Sequence, residues 1–249
     1  MGSPTNELGR SSTPNVETQH FATLSKEYFI GVFEVTQRQW ELATGARPSC
    51  YSNPACYATR PVEQVSYDAI RGTGSGTNWP ARGTVDAGSF LGILRAKTGR
   101  DFDLPTEAQW ECACRAGTTN ALNSGKDLTT STNCPNMDEV GRYFYNSGRT
   151  TDPDPACDTS QATAPVGSYR PNAWGLFDMH GNVYEWCLDW YATYPSSSVT
   201  DPAGATTGTA RVLRGGGWFN GAGSCRSATR GSREPSAENR SFGFRLCLP

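Results

Sequence analysis

Nine cysteines, at positions 50, 56, 112, 114, 134, 157, 187, 225 and 247, are the largest store of reactive side chains in this 249-residue chain. That many thiols favour an oxidising location, where they pair. Nine is odd, so at least one stays free or pairs with another chain. Cys50 and Cys56 flank a Ser-Asn-Pro turn that a local bridge would close, and Cys134 and Cys157 flank a second insertion. Zinc is disfavoured, because there is no CxxC pair and the only histidines are His20 and His180. Harder ion chemistry lies in GNVYEW, where Asn182 and Glu185 bring two oxygen ligands within a turn with backbone carbonyls between them. That set suits calcium, and it suits bonds to loop amides equally. Hydrolytic templates are missing: there is no G-x-S-x-G, no H-E-x-x-H, and GTGSG at 72–76 lacks the lysine and strand of a phosphate loop.

These groups need elements to hold them. Thr106 stands three residues before Gln109 and follows a proline, a capping box for a helix through Trp110, Glu111 and Cys112 to about Arg115, with Gly117 as its stop. Cys112 and Cys114 fall two apart on that helix and cannot bridge each other. A second helix is expected from about Val85 to Thr98, with Phe90, Leu91, Leu94 and Ala96 as its apolar stripe. YFIGVFEVT (28–36) alternates as a strand does, and RVLRGGGW and SFGFRLCL read as strands near a sheet centre. With 27 glycines, 16 prolines and 7 tryptophans, the chain should be loop-rich around an aromatic core. Its 36% hydrophobic content supports one domain.

A net charge of −2 gives no general attraction to nucleic acid or anionic lipid, and no run is long enough to cross a membrane. Residues 1–22 are polar and lack an apolar signal core, so they are expected to form a flexible N-terminal segment or linker before a domain over 23–249. With the cysteine count, this points to a secreted or bacterial surface protein, lipid-anchored through a removed N-terminal signal if it is anchored at all.

The region 211–249 reads RVLRGGGWFNGAGSCRSATRGSREPSAENRSFGFRLCLP. Its Gly, Ser and Arg content alone suggests disorder, but Val212 and Leu213 ahead and Phe244 to Leu248 behind look buried. It is expected to be an ordered, irregular surface held at both ends, with several arginines bonding loop carbonyls and carboxylates.

This frame, with EVTQRQW (34–40), RPVEQVSYDA (60–69), LPTEAQWECACRAG (104–117) and APVGSYRPNAWGLFDMHGNVYEW (164–186), resembles the formylglycine-generating-enzyme, or sulfatase-modifying-factor, family. The motifs run in family order over roughly residues 28 to 249. The resemblance implies an α+β chain with a C-type-lectin-like fold of the formylglycine-generating-enzyme type: a small twisted antiparallel sheet, two helices and long loops. It also implies calcium at Asn182 and Glu185, and at a second site at Asn146 and Asp158. In the family's oxidases, two C-terminal cysteines with four residues between them hold copper and engage a substrate thiol. Here those positions fall on Asn220 and Cys225, so no copper and no oxidase activity are expected.

The same frame resembles the variable regions of proteins diversified by retroelements, which display mutable side chains on a lectin-like scaffold. The displayed residues would then be Phe219, Asn220, Gly221, Gly223, Ser224, Thr229, Gly231, Ser232, Arg233, Glu234, Ala237 and Glu238, with Phe219, Arg233 and Glu234 as anchors. The function expected is non-catalytic binding of a macromolecular ligand, a protein rather than nucleic acid. The alternatives are an oxidase of the parent family, and a carbohydrate-binding lectin using Trp218 and Phe219.

Overall fold

The computed structural model describes residues 1–73, 84–148, 157 and 161–249. Helix α1 (Gln37–Thr44) starts at a capping box: the Thr36 hydroxyl accepts from the Gln39 amide, and the Gln39 side chain accepts from the Thr36 amide. Ser66 caps a short α2 (Tyr67–Arg71), and Ser89 caps α3 (Phe90–Thr98). The helix starts about a turn later than the expected Val85, because Asp86 to Ser89 is spent on the cap: the Ser89 amide and hydroxyl both donate to the Asp86 carbonyl. Helix α4 (Glu107–Arg115) has the predicted Thr106–Gln109 capping box and ends one residue before Gly117, at Ala116 in the left-handed region. A single turn, α5 (Pro135–Asp138), follows.

The strands are short: β1 (Ala22–Thr23), β2 (Phe29–Ile30), β3 (Gly141–Arg142), β4 (His180–Gly181), β5 (Tyr184–Trp190), β6 (Val199–Thr200), β7 (Arg211–Arg214), β8 (Arg230–Arg233), β9 (Phe242–Gly243) and β10 (Cys247–Leu248). The principal sheet has the order β8-β7-β5-β9. Its β8–β7 and β7–β5 pairs are antiparallel, and β9 joins the far side of β5 in parallel. The expected strand over 28–36 is confined to β2, which pairs with β10. Beyond Ile30 the chain crosses between partners, with the Val35 amide donating to Phe244 and its carbonyl accepting from Val62.

The main core lies between this sheet and α1 to α3, where Trp40 stacks on Phe90 and both meet Phe244 edge-on. Trp186 of β5 adds an edge-on contact with Tyr67 of α2. Among the described residues no helix is long and apolar enough to cross a membrane.

Two expectations need correction. The disulfide joins Cys50 to Cys157, 107 residues apart, while Cys56 and Cys134 are free thiols. Cys134 instead fills a core pocket with Met137, Tyr143 and Cys225. Residues 1–22 are docked rather than free: the Gly2 amide donates to Glu111, Ser3 donates to Glu17, and Glu7 and Glu17 both bond the buried Arg226 guanidinium. A buried guanidinium requires carboxylate partners, and this polar segment supplies them.

Candidate ligand-binding surface

The 211–249 region takes its shape from arginines. Arg214 of β7 donates to Glu111 (2.5 Å) and to the carbonyls of Ser227, Ala228 and Thr229, pinning the chain that precedes β8. Arg226 holds Glu17 (2.8 Å), Glu7 and the Gly9 carbonyl. Arg230 forms a two-pronged pair with Glu107 (2.6 and 2.7 Å) and donates to the Ala192 and Val16 carbonyls. Each guanidinium satisfies several loop groups at once, so little regular ladder is needed.

Burial then divides the region cleanly. Residues 211–218, 225–228 and 241–245 are all buried. The twelve positions named from sequence lie between these blocks: Arg233, Glu234 and Glu238 are exposed, and Phe219, Asn220, Gly221, Gly223, Ser224, Thr229, Gly231, Ser232 and Ala237 are half-buried. Five of them, Phe219, Asn220, Gly231, Ser232 and Arg233, line one shallow cleft of about 210 Å³. It is also lined by Tyr184, Leu213 and Phe242, of which sequence reading names only Leu213, as a buried frame residue. Strand register was the available signal, since Leu213 pairs with Gly231 and Tyr184 with Phe242. Gly221 and Gly223 lie apart from the cleft, bonded through Ala222 and Gly223 amides to the Thr132 and Ser131 carbonyls. Trp218 is buried with its indole N–H on the Arg240 carbonyl, so it offers no sugar platform.

Two glycines of this region should behave oppositely. A Cβ at Gly231 would meet Leu213 and Tyr184 at 3.4 Å, an ordinary contact, so Gly231→Ala should change stability by about 0.5 kcal/mol or less. Gly216 has a φ of 74°, and a Cβ there would lie 2.6 Å from Cys225 Sγ, so Gly216→Ala should cost at least about 2 kcal/mol. Urea unfolding of the two variants checks both expectations.

Three of the four residues assigned to calcium, Asn146, Asn182 and Glu185, are bonded to protein groups. Both Glu185 oxygens accept from the Arg245 guanidinium (2.6 and 2.7 Å), and Oε2 also accepts the Trp110 indole N–H (2.7 Å). A guanidinium already occupies the place a cation would take. The Asn182 side chain turns elsewhere, donating to Glu34 (2.7 Å) and accepting the Ala164 amide (2.9 Å). Asn146 accepts the Tyr143 amide and donates to the Gly141 carbonyl, closing its own turn. Asp158 lies outside the described residues.

Around Arg245 gather three buried carboxyls, Glu34, Asp178 and Glu185. Burial, and then the charges of Asp178 and Glu185, hold Glu34 well above the usual carboxylate range, and burial pushes Asp178 up to about 6. The folded pKa of Asp178 is thus above its unfolded value. Its contribution to stability is full below pH ~4 and is lost as pH rises through about 6. Asp178→Asn should therefore match the parent near pH 4 and exceed it by about 3 kcal/mol at pH 8, since one pKa unit is about 1.4 kcal/mol. Asparagine also suits this position's φ of 57°. Denaturant titrations at the two pH values measure the difference.

The oxidase positions are equally explicit. Asn220 Oδ1 accepts the Gly217 amide (3.0 Å), and Cys225 is buried with its thiol pushed up to about 12 by that burial. One protonated, enclosed sulfur beside an amide does not make a two-thiolate copper site. His180 serves packing: Nδ1 donates to the Cys225 carbonyl (2.7 Å), Nε2 accepts the Asn123 amide (3.0 Å), and burial lowers the imidazole to about 4.

Residues 1–248 match the sulfatase-modifying factor enzyme 1-like domain. The chain belongs to that family. A formylglycine-generating enzyme of Streptomyces coelicolor is 41% identical over 150 residues, 57% of this chain and 45% of its own. The chain spans about half the length of the formylglycine-generating enzymes it matches. A protein of Paenibacillus barcinonensis described as chaperone protein LppX is 32% identical over 221 residues, 80% of this chain and 71% of its own. Among solved structures, Treponema denticola variable protein 1 superposes with a TM-score of 0.73 at 26% identity, covering 100% of this chain and 93% of that one. The sulfatase-modifying-factor domain thus has the expected α+β, C-type-lectin-like fold, and it resembles a variable protein as well as enzymes.

Proposed function

We propose that this member of the sulfatase-modifying-factor family is a non-catalytic ligand-binding protein, secreted or held at a bacterial surface, that displays a diversifiable set of side chains to a protein ligand. The observation that carries this reading is the burial pattern of 211–249. The frame residues are locked by buried guanidinium bonds, and the twelve intervening positions reach solvent, five around one cleft. Such positions can change identity without disturbing the core, with Gly221 and Gly223 the most restricted by their approach to Ser131. Exposed Arg233 and Glu234 beside half-buried Phe219 provide the charged and aromatic anchors that small protein interfaces rely on. Likeness to a variable protein over the whole chain supports the same reading.

The second reading, a formylglycine-generating oxidase, is favoured by 41% identity to such an enzyme over 150 residues. Against it stand Asn220 and the enclosed Cys225 thiol. Incubation of the protein, with and without copper(I), with a cysteine-containing sulfatase peptide separates the two. Mass spectrometry should show the cysteine unchanged, and conversion to formylglycine would establish the oxidase instead.

A further inference from the structure

The buried carboxyls of this domain fall into two groups. Asp103, Glu107, Glu111, Glu185, Glu7 and Glu17 each bond an arginine. Glu34, Glu63, Asp178 and Asp189 bond none among the described residues. Of these four, Asp189 lines a large cavity. It lies at the end of β5, 3% exposed, with Oδ2 accepting the Glu107 amide (2.8 Å) at the start of α4. Oδ1 has no hydrogen-bond partner among the described residues and faces the turn at Gly204, 3.1 Å from where a Cβ would stand there.

The cavity measures about 460 Å³, within the size range of small-molecule sites. Its walls are mainly apolar, with Trp190, Tyr194, Pro195, Val199, Pro202 and Ala203 surrounding the acid. The nearby cations bond other groups, the Met1 ammonium the His20 carbonyl among them. Arg230 is paired with Glu107, and Arg211 donates to the Leu188 carbonyl while stacking over Trp190 and Tyr67. Among the described residues the Tyr194 hydroxyl, also buried on this wall, has no hydrogen-bond partner within 3.5 Å. Burial and then the Glu107 charge push Asp189 up to about 7, against the weaker opposing charges of Arg230 and Arg211.

We propose that this cavity binds a small organic ammonium ligand, its nitrogen donating to Asp189 Oδ1 and its apolar body packing on Trp190, Tyr194 and Pro202. The ligand supplies the cation that every arginine-paired carboxylate already has, and the aromatic walls favour it further. The site is separate from the cleft at Phe219 to Arg233 and does not depend on the proposed display function.

The test is a titration of the ¹⁵N-labelled full chain with phenethylamine and with its neutral counterpart 2-phenylethanol, read at the Trp190 indole N–H. The amine should saturate and bind roughly tenfold or more tightly than the alcohol, the scale of one charge-assisted bond. Asp189→Asn, which keeps an acceptor for the Glu107 amide, should bring the two affinities together. Ala203→Phe, which fills the cavity and leaves the acid intact, should abolish both. Equal affinity for alcohol and amine, amine binding unchanged in either variant, or no saturation by the amine would overturn the proposal.

Discussion

Truncation of Arg245 to alanine should lower the free energy of unfolding by about 3–5 kcal/mol, the largest single effect expected in the domain. The guanidinium bonds both oxygens of Glu185 and donates to the carbonyls of Gly31, Val32 and Phe177. It is also the cation nearest Glu34 and Asp178. Its removal leaves Glu185 buried without a counter-charge among two further carboxyls, and desolvation of that unpaired charge dominates the cost. The paired change Arg245→Met with Glu185→Gln removes both charges and should recover much of the loss. Equilibrium urea unfolding at pH 7 measures each variant. A cost below about 1 kcal/mol for Arg245→Ala would place the pair among solvated surface pairs and contradict the description of the site.

Arg226→Ala should have the second largest effect, about 3 kcal/mol, for a related reason. Arg226 is the buried group to which the N-terminal segment is tied, through Glu7, Glu17 and the Gly9 carbonyl. Without it both glutamates lose their partner, and residues 1–20 should detach. Limited proteolysis should then cleave before residue 22 in the variant and leave the parent intact there. Equal protection of both would mean that the bonds of Gly2 with Glu111 and Arg115 hold the segment without Arg226.

The features legible in the sequence were those set by short-range physics. The Thr106–Gln109 capping box placed α4, and the order of buried and open residues across 211–249 followed the apolar and polar pattern of that stretch. The same capping logic at Thr36 and Ser66 marks α1 and α2, which were missed because their apolar stripes are short. The features that sequence did not reveal depend on distant partners. Cys50 and Cys157 meet across 107 residues, and no spacing rule selects that pair over the local one. Asn182 and Glu185 are close in sequence and carry oxygen ligands, yet the Glu185 carboxylate pairs with Arg245, 60 residues away. The polar N-terminal segment looked like a linker because its fixing charge, on Arg226, lies 209 residues from Glu17.

The most direct test of the display surface is to sequence this gene and its flanking DNA from several isolates. Substitutions should be confined to Phe219, Asn220, Gly221, Gly223, Ser224, Thr229, Gly231, Ser232, Arg233, Glu234, Ala237 and Glu238, with a near-copy of the 211–249 segment close by. The buried codons, Arg214, Gly216, Arg226 and Arg245 among them, should stay constant, because their side chains or backbone angles hold the frame. A segment identical in all isolates, or substitutions spread equally over frame and surface, would contradict a diversified binding protein.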